Sequence, residues 1–184
     1  MTDKPAFHGQ AERDAHAMAI GRIAMVWNEY QATLGEIYAD LFAGDDWNLA
    51  LSTWYAIPSD RTQRDALRAV AMFKLAPSSK GLEELNWLLE KTNEVVSFQR
   101  NVGLHTRLFP ITAEDGTLQI YPVAQNDRIV KALENTTVLK EYAHYESQMR
   151  KMLGFAVGVQ SALSSKRTGQ EVWPERPQIS KRST

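Results

Sequence analysis

The chemistry this chain can offer is concentrated in Arg100-Asn101-Val102-Gly103-Leu104-His105, a cation, an amide and an imidazole in one short stretch. Arginine grips a phosphate with two parallel donors and never loses its charge, and histidine takes and returns a proton near neutral pH. These are the groups that metal-free phosphodiester cleavage needs. On an ideal helix Asn101 and His105 share a face, whereas Arg100 and His105 lie roughly 140° apart around the axis. A single straight helix therefore cannot aim both at one phosphate. Either the helix distorts near Gly103, whose missing side chain weakens a helix interior, or a second copy faces the first. The spacing favours a composite site. The same residues also have a structural reading, with Asn101 capping a helix end or bonding a backbone carbonyl, Arg100 pairing with a nearby acid such as Glu94 or Glu141, and His105 a buried imidazole holding the hairpin to the last helix.

The elements that must position them are mostly helices. Between residues 11 and 42, Ile20, Ile23, Trp27, Tyr30, Leu34, Ile37 and Leu41 alternate in steps of three and four, the seam of a long helix. Gly44-Asp45-Asp46 stops it, residues 47–57 read as a shorter helix, and Pro58 breaks the pattern. Asp60 with Gln63 resembles a capping box opening a helix to about Leu75 that carries Leu67, Val70, Ala71 and Phe73. Pro77-Ser78-Ser79 caps the next, whose stripe of Leu82, Leu85, Leu88, Leu89, Thr92, Val95 and Val96 leads into the motif. Residues 108–123 hold two β-prone runs around Asp115-Gly116, with Pro110 and Pro122 confining the hairpin to edges or strand ends. Asn126 and Asp127 then cap a last long helix through Ile129, Leu133, Tyr142, Tyr145, Met149, Met152, Ala156, Val159 and Leu163.

The predicted fold class is thus mainly all-α, an up-and-down helical bundle with one small β-hairpin inserted before the last long helix. Residues 1–10 are expected to be flexible and 11–165 to form a single domain. Residues 166–184 read as a disordered tail, from Pro174, Pro177 and the polar content after Gly169.

With its Arg-Asn-x-x-x-His motif near the end of a long helix in a cysteine-free helical chain, the sequence resembles the HEPN superfamily (higher eukaryotes and prokaryotes nucleotide-binding). Arg100, Asn101 and His105 match that motif residue by residue, and the order of elements is similar to a bacterial branch over most of residues 12–164. The flanks depart from the branch, with Leu104 before the histidine and Thr106 and Arg107 after it. The resemblance implies a homodimer with two motifs facing each other, acting as a metal-independent endoribonuclease on an RNA substrate in a prokaryotic toxin or defence setting, restrained there by an antitoxin or other protein partner. Other members of the superfamily are catalytically silent interaction or scaffold modules, which is the alternative reading.

Composition sets the outer limits. At 184 residues with 43% hydrophobic content, the chain suffices for one domain with its own core. The absence of cysteine removes disulfides, thiolate metal sites and cysteine nucleophiles, and a reducing cytoplasm is the simplest setting. No signal-peptide core and no membrane-spanning apolar run are present, so no membrane association is expected. A net charge of −1 argues against a general nucleic-acid coat protein, leaving only a local patch of Arg100, His105 and Arg107. There is no Gly-rich phosphate loop, no Gly-x-Ser-x-Gly elbow and no His-Glu-x-x-His. Neither a cofactor nor a metal is expected. Glu29, Glu36 and Asp40 read as solvated charges, His8 and His16 as part of a fraying end, and Trp27, Trp47, Trp54 and Trp87 as core anchors, with Trp54-Tyr55 an aromatic pair suited to an interface. His144, between Tyr142 and Tyr145, reads as one of a set of core or interface aromatics before it reads as a base-stacking platform.

Overall fold

The computed structural model describes residues 10–42, 46–112, 114, 118–123, 129, 133, 137–165 and 172–181. In chain order these give α1 (Gln10–Phe42), α2 (Trp47–Ala56), α3 (Asp60–Lys74), α4 (Lys80–Lys91), a π-turn (Thr92–Val96), α5 (Ser97–His105), strands β1 (Arg107–Thr112) and β2 (Leu118–Val123), and α6 (Val138–Ser165). The described chain is mainly helical, an all-α bundle arranged around α1, which touches α2, α3, α5 and most extensively α6. The regular three-and-four spacing explains why. Ile23, Trp27, Tyr30, Leu34 and Ile37 form one continuous buried stripe, so the helix can serve as the axis against which the others close. None of the described helices is long and apolar enough to cross a membrane.

β1 and β2 pair antiparallel, from Arg107 opposite Val123 to Thr112 opposite Leu118. The Asp115-Gly116 turn lies outside the described residues, as do Asn126 and Asp127, the expected start of the last helix; Ile129 and Leu133 are helical, and the continuous helix runs from Val138.

Helix starts follow side-chain oxygens. Ser79 caps α4 as expected, but α3 is capped by Ser59 and not by Asp60. Ser59 is extended and accepts from the Thr62 amide at 3.2 Å, the geometry an N-cap needs. Gln63 turns away and donates to the Trp54 carbonyl at 3.1 Å. Asp60 thereby becomes a first-turn residue with its carboxylate available to other elements. Leu67 and Ala71 are buried as expected, but Phe73, expected with them, is 86% exposed, and the third buried residue of α3 is Arg64.

The helix is not distorted at Gly103, the expected alternative to a composite site; the irregularity lies earlier, at the π-turn. Thr92 donates its hydroxyl to the Leu88 carbonyl at 2.7 Å and is itself hydrogen-bonded to the Tyr30 hydroxyl, the kind of side-chain competition that bends a helix. Because the one hydroxyl hydrogen of Thr92 is committed to Leu88, Tyr30 is the donor in that pair. Helix α5 then runs unbroken through Gly103, where an added Cβ would sit 2.9 Å from Ile23 Cδ1. The glycine allows α5 to close onto α1.

Two ends differ from expectation. His16 is buried, its Nδ1 donating to the Glu12 carbonyl at 2.8 Å and its ring edge-on to Tyr142, because α6 covers the start of α1. Residues 172–181, read as disordered, form an extended strap across α4, α5 and α6. Trp173 and Ile179 pack against the core, Arg176 Nε donates to Glu84 Oε2 at 2.7 Å, the Ser180 amide donates to Gln148 Oε1 at 3.0 Å, and Gln99 Nε2 donates to the Ser180 carbonyl at 2.9 Å. The strap is fixed because it brings partners to polar groups buried on the helices.

Candidate functional site

A cleft of about 370 Å³ lies where the first turn of α3 meets Trp27 of α1 and the exposed side of α5, lined by Trp27, Pro58, Ser59, Asp60, Arg61, Arg64, Ser97, Arg100 and Asn101. Each element has a local reason to be there. Pro58 and Ser59 start α3, so Asp60 and Arg61 face the cleft from its N-terminal turn. One turn on, Arg64 occupies the buried register. The π-turn and the start of α5 present Asn93 and Ser97 to it, with Arg64 Nε donating to Asn93 Oδ1 at 3.0 Å and Nη2 to Ser97 Oγ at 3.2 Å.

Two guanidiniums lie near the Trp27 ring, Arg64 at 5.8 Å and Arg100 at 5.4 Å from the ring centroid. Its indole N–H donates to Asp60 Oδ2 at 3.0 Å. Arg100 donates through Nη1 to Asn101 Oδ1 at 2.9 Å and forms an ion pair with Asp60 at 3.5 Å. Its Nε is buried and has no hydrogen-bond partner among the described residues, and the same holds for Arg64 Nη1. Burial pushes the Arg64 guanidinium below its ordinary pKa, and the like charge of Arg100 adds to that, while Tyr30, Asp60 and Asp65 oppose it. Three guanidiniums and the Asp60 carboxylate therefore line the cleft, and two of the guanidiniums hold buried N–H groups with no hydrogen-bond partner among the described residues.

Of the expected site residues, Arg100 and Asn101 are brought together and His105 is not. Helix α5 is regular from Ser97 to His105, so five residues separate Arg100 and His105 by roughly 7.5 Å along the axis and 140° around it. His105 is exposed at the helix end and does not line the cleft. The structural reading of the motif holds in part: Arg100 does pair with a nearby acid, though it is Asp60 and not Glu94 or Glu141, whereas Asn101 accepts from Arg100 and His105 is not buried.

Sequence reasoning missed Trp27, Asp60, Arg64 and Ser97 as parts of this site. Only Arg64 left a trace, as a cation in register with Leu67 and Ala71. Elsewhere, Tyr142 and Tyr145 are fully buried, which removes the stacking platform around His144. Asp40 accepts from the Trp47 indole, and Glu36 accepts from Gln160. Trp54 anchors the core, but Trp47 is 39% exposed and is no core anchor. No group of three His, Asp or Glu side chains that could hold a metal ion occurs among the described residues. Comparison with protein-family models, with curated proteins and with solved structures finds no match to this chain.

Proposed function

We propose that the chain is a metal-independent endoribonuclease of the HEPN kind, acting as a homodimer on RNA in a prokaryotic toxin or defence setting. The observation that carries this reading is a guanidinium with an unsatisfied N–H, Arg100, and an exposed imidazole, His105, on one short helix at the surface. Their divergence within a chain calls for a second copy, whose His105 would face this Arg100. His105 takes the proton of the 2′-hydroxyl, the new bond joins O2′ to phosphorus, the bond to the 5′-oxygen breaks, and that oxygen leaves with a proton. Arg100 neutralises the charge that builds on the phosphorane oxygens. Asn101, by accepting from Arg100 Nη1, sets the direction of the guanidinium. The products are a 2′,3′-cyclic phosphate and a 5′-hydroxyl.

A second reading, a catalytically silent dimerising module, is favoured by one feature: Asp60 already partners Arg100. Purified protein incubated with a mixed RNA pool in EDTA separates the two. The nuclease cuts RNA, leaves DNA intact, and loses roughly 10²–10⁴-fold in rate in His105→Ala, with Arg100→Ala impaired to a comparable degree. A parent protein that cuts no RNA, or folded variants that cut like the parent, leaves the module reading in its place.

A further inference from the structure

Arg64 presents the least expected arrangement in the molecule. It is only 4% exposed, and a buried cation is normally matched to a carboxylate. Its hydrogen-bond partners are instead the neutral Asn93 and Ser97, and one of its donor groups is unpartnered among the described residues. Arg100 and Arg61 bring two further guanidiniums to the lining of the same cleft, and Arg100 Nε is likewise buried with no hydrogen-bond partner among the described residues. The cleft is also the N-terminal end of a 15-residue helix, where the backbone dipole favours negative charge. Its volume far exceeds the roughly 30 Å³ share of one water. Guanidiniums from two helices beside a helix end suit a tetrahedral oxyanion, whereas a planar carboxylate is satisfied by one guanidinium fork.

We propose that this cleft binds a phosphate group between Arg64 and Arg100, with Asp60 as the internal carboxylate that the phosphate displaces from Arg100. Arg64 is then a phosphate-binding residue that the Arg-Asn-x-x-x-His motif does not contain. Which phosphate it holds, the one cleaved in an RNA strand, rests on the nuclease reading; the capture of phosphate does not.

The proposal predicts opposite effects from two substitutions in one site. Arg64→Gln removes a charged donor and weakens phosphate binding roughly tenfold or more, the loss expected for a charge-assisted hydrogen bond. Asp60→Asn keeps an oxygen to accept from Trp27 but removes the competing charge, and so tightens binding several-fold.

Calorimetric titration with inorganic phosphate, with adenosine 5′-monophosphate and with the uncleavable dinucleotide d(ApA) measures this. Binding of d(ApA) assigns the cleft to a phosphate within a strand, and binding of the first two alone assigns it to terminal or free phosphate. The proposal is overturned if the parent binds none of the three, or if Asp60→Asn binds no tighter than the parent. A folded Arg64→Gln that binds like the parent overturns it too; if that variant does not fold, Asp60→Asn decides. RNA cleavage by a parent that binds no phosphate ligand sinks this proposal alone. Phosphate binding with both variant effects but no cleavage sinks the nuclease reading alone.

Discussion

Replacing Arg176 by alanine tests whether the strap over residues 172–181 is held by charge. Arg176 Nε donates to Glu84, Nη2 reaches Glu83, and the guanidinium lies 5.6 Å from the Trp87 ring centroid. The Glu84 side chain is only 2% exposed, and Lys80 is its other cationic partner. Burial alone would push the Glu84 carboxyl up, but the hydrogen bonds from Arg176 and Lys80 outweigh it and hold the group below its ordinary range. The substitution removes one charge-assisted hydrogen bond to a buried carboxylate, about 1.5–3 kcal/mol, and a cation–π contact of about 0.5 kcal/mol. Because 36% of the Arg176 side chain is exposed, solvent screens the attraction beyond the hydrogen bond, and Lys80 keeps Glu84 paired. The expected loss at neutral pH is therefore about 2 kcal/mol, read by urea denaturation, together with faster amide exchange at Ser180.

The pH dependence carries a sign. A carboxyl depressed in the folded state contributes stability above its unfolded pKa and loses it as pH falls through the folded value. The stability curves of parent and Arg176→Ala should accordingly converge below the ordinary carboxylate range. Equal stability at pH 7, or a difference that persists undiminished into acid, would refute the reasoning.

Other perturbations read the core and the assembly. Gly35→Ala places a Cβ 2.7 Å from the fully buried Trp54 indole nitrogen; overpacking of this kind costs about 1–3 kcal/mol, measurable as a lower urea midpoint. Tyr30→Phe deletes the donor to Thr92 while leaving Thr92 bonded to Leu88, so thermal unfolding should report a loss of about 1 kcal/mol. Met18, Met25, Met72 and Phe73 are exposed, and the proposed composite site would require a second copy, so sedimentation at micromolar concentration should give a two-fold dimer; a monomer there contradicts the proposed pairing of His105 with Arg100 across copies.

The apolar stripes of α1 and α4 were legible because a buried helix face repeats every three or four residues whatever it packs against. Polar residues that fall in those stripes are harder to read, since in one dimension they look like interruptions. Arg64 precedes Leu67 and Ala71, Glu84 precedes Leu88, Gln99 follows Val96, and Gln148 sits beside Met149 and Met152. Each is buried, and each must be met by a group that sequence spacing does not reveal. Glu84, Gln99 and Gln148 meet theirs in the strap, 92, 81 and 32 residues away, which is why a stretch whose composition reads as solvated chain is in fact docked. The Asp60–Trp27–Arg100 arrangement was hidden for the same reason, its members being 33 residues or more apart in sequence. Arg64, by contrast, has only neutral hydrogen-bond acceptors and one donor left over among the described residues. A polar residue on a buried stripe marks a long-range partner, and where the described residues supply a buried cation with no charged hydrogen-bond acceptor, the partner we propose is an anion from outside.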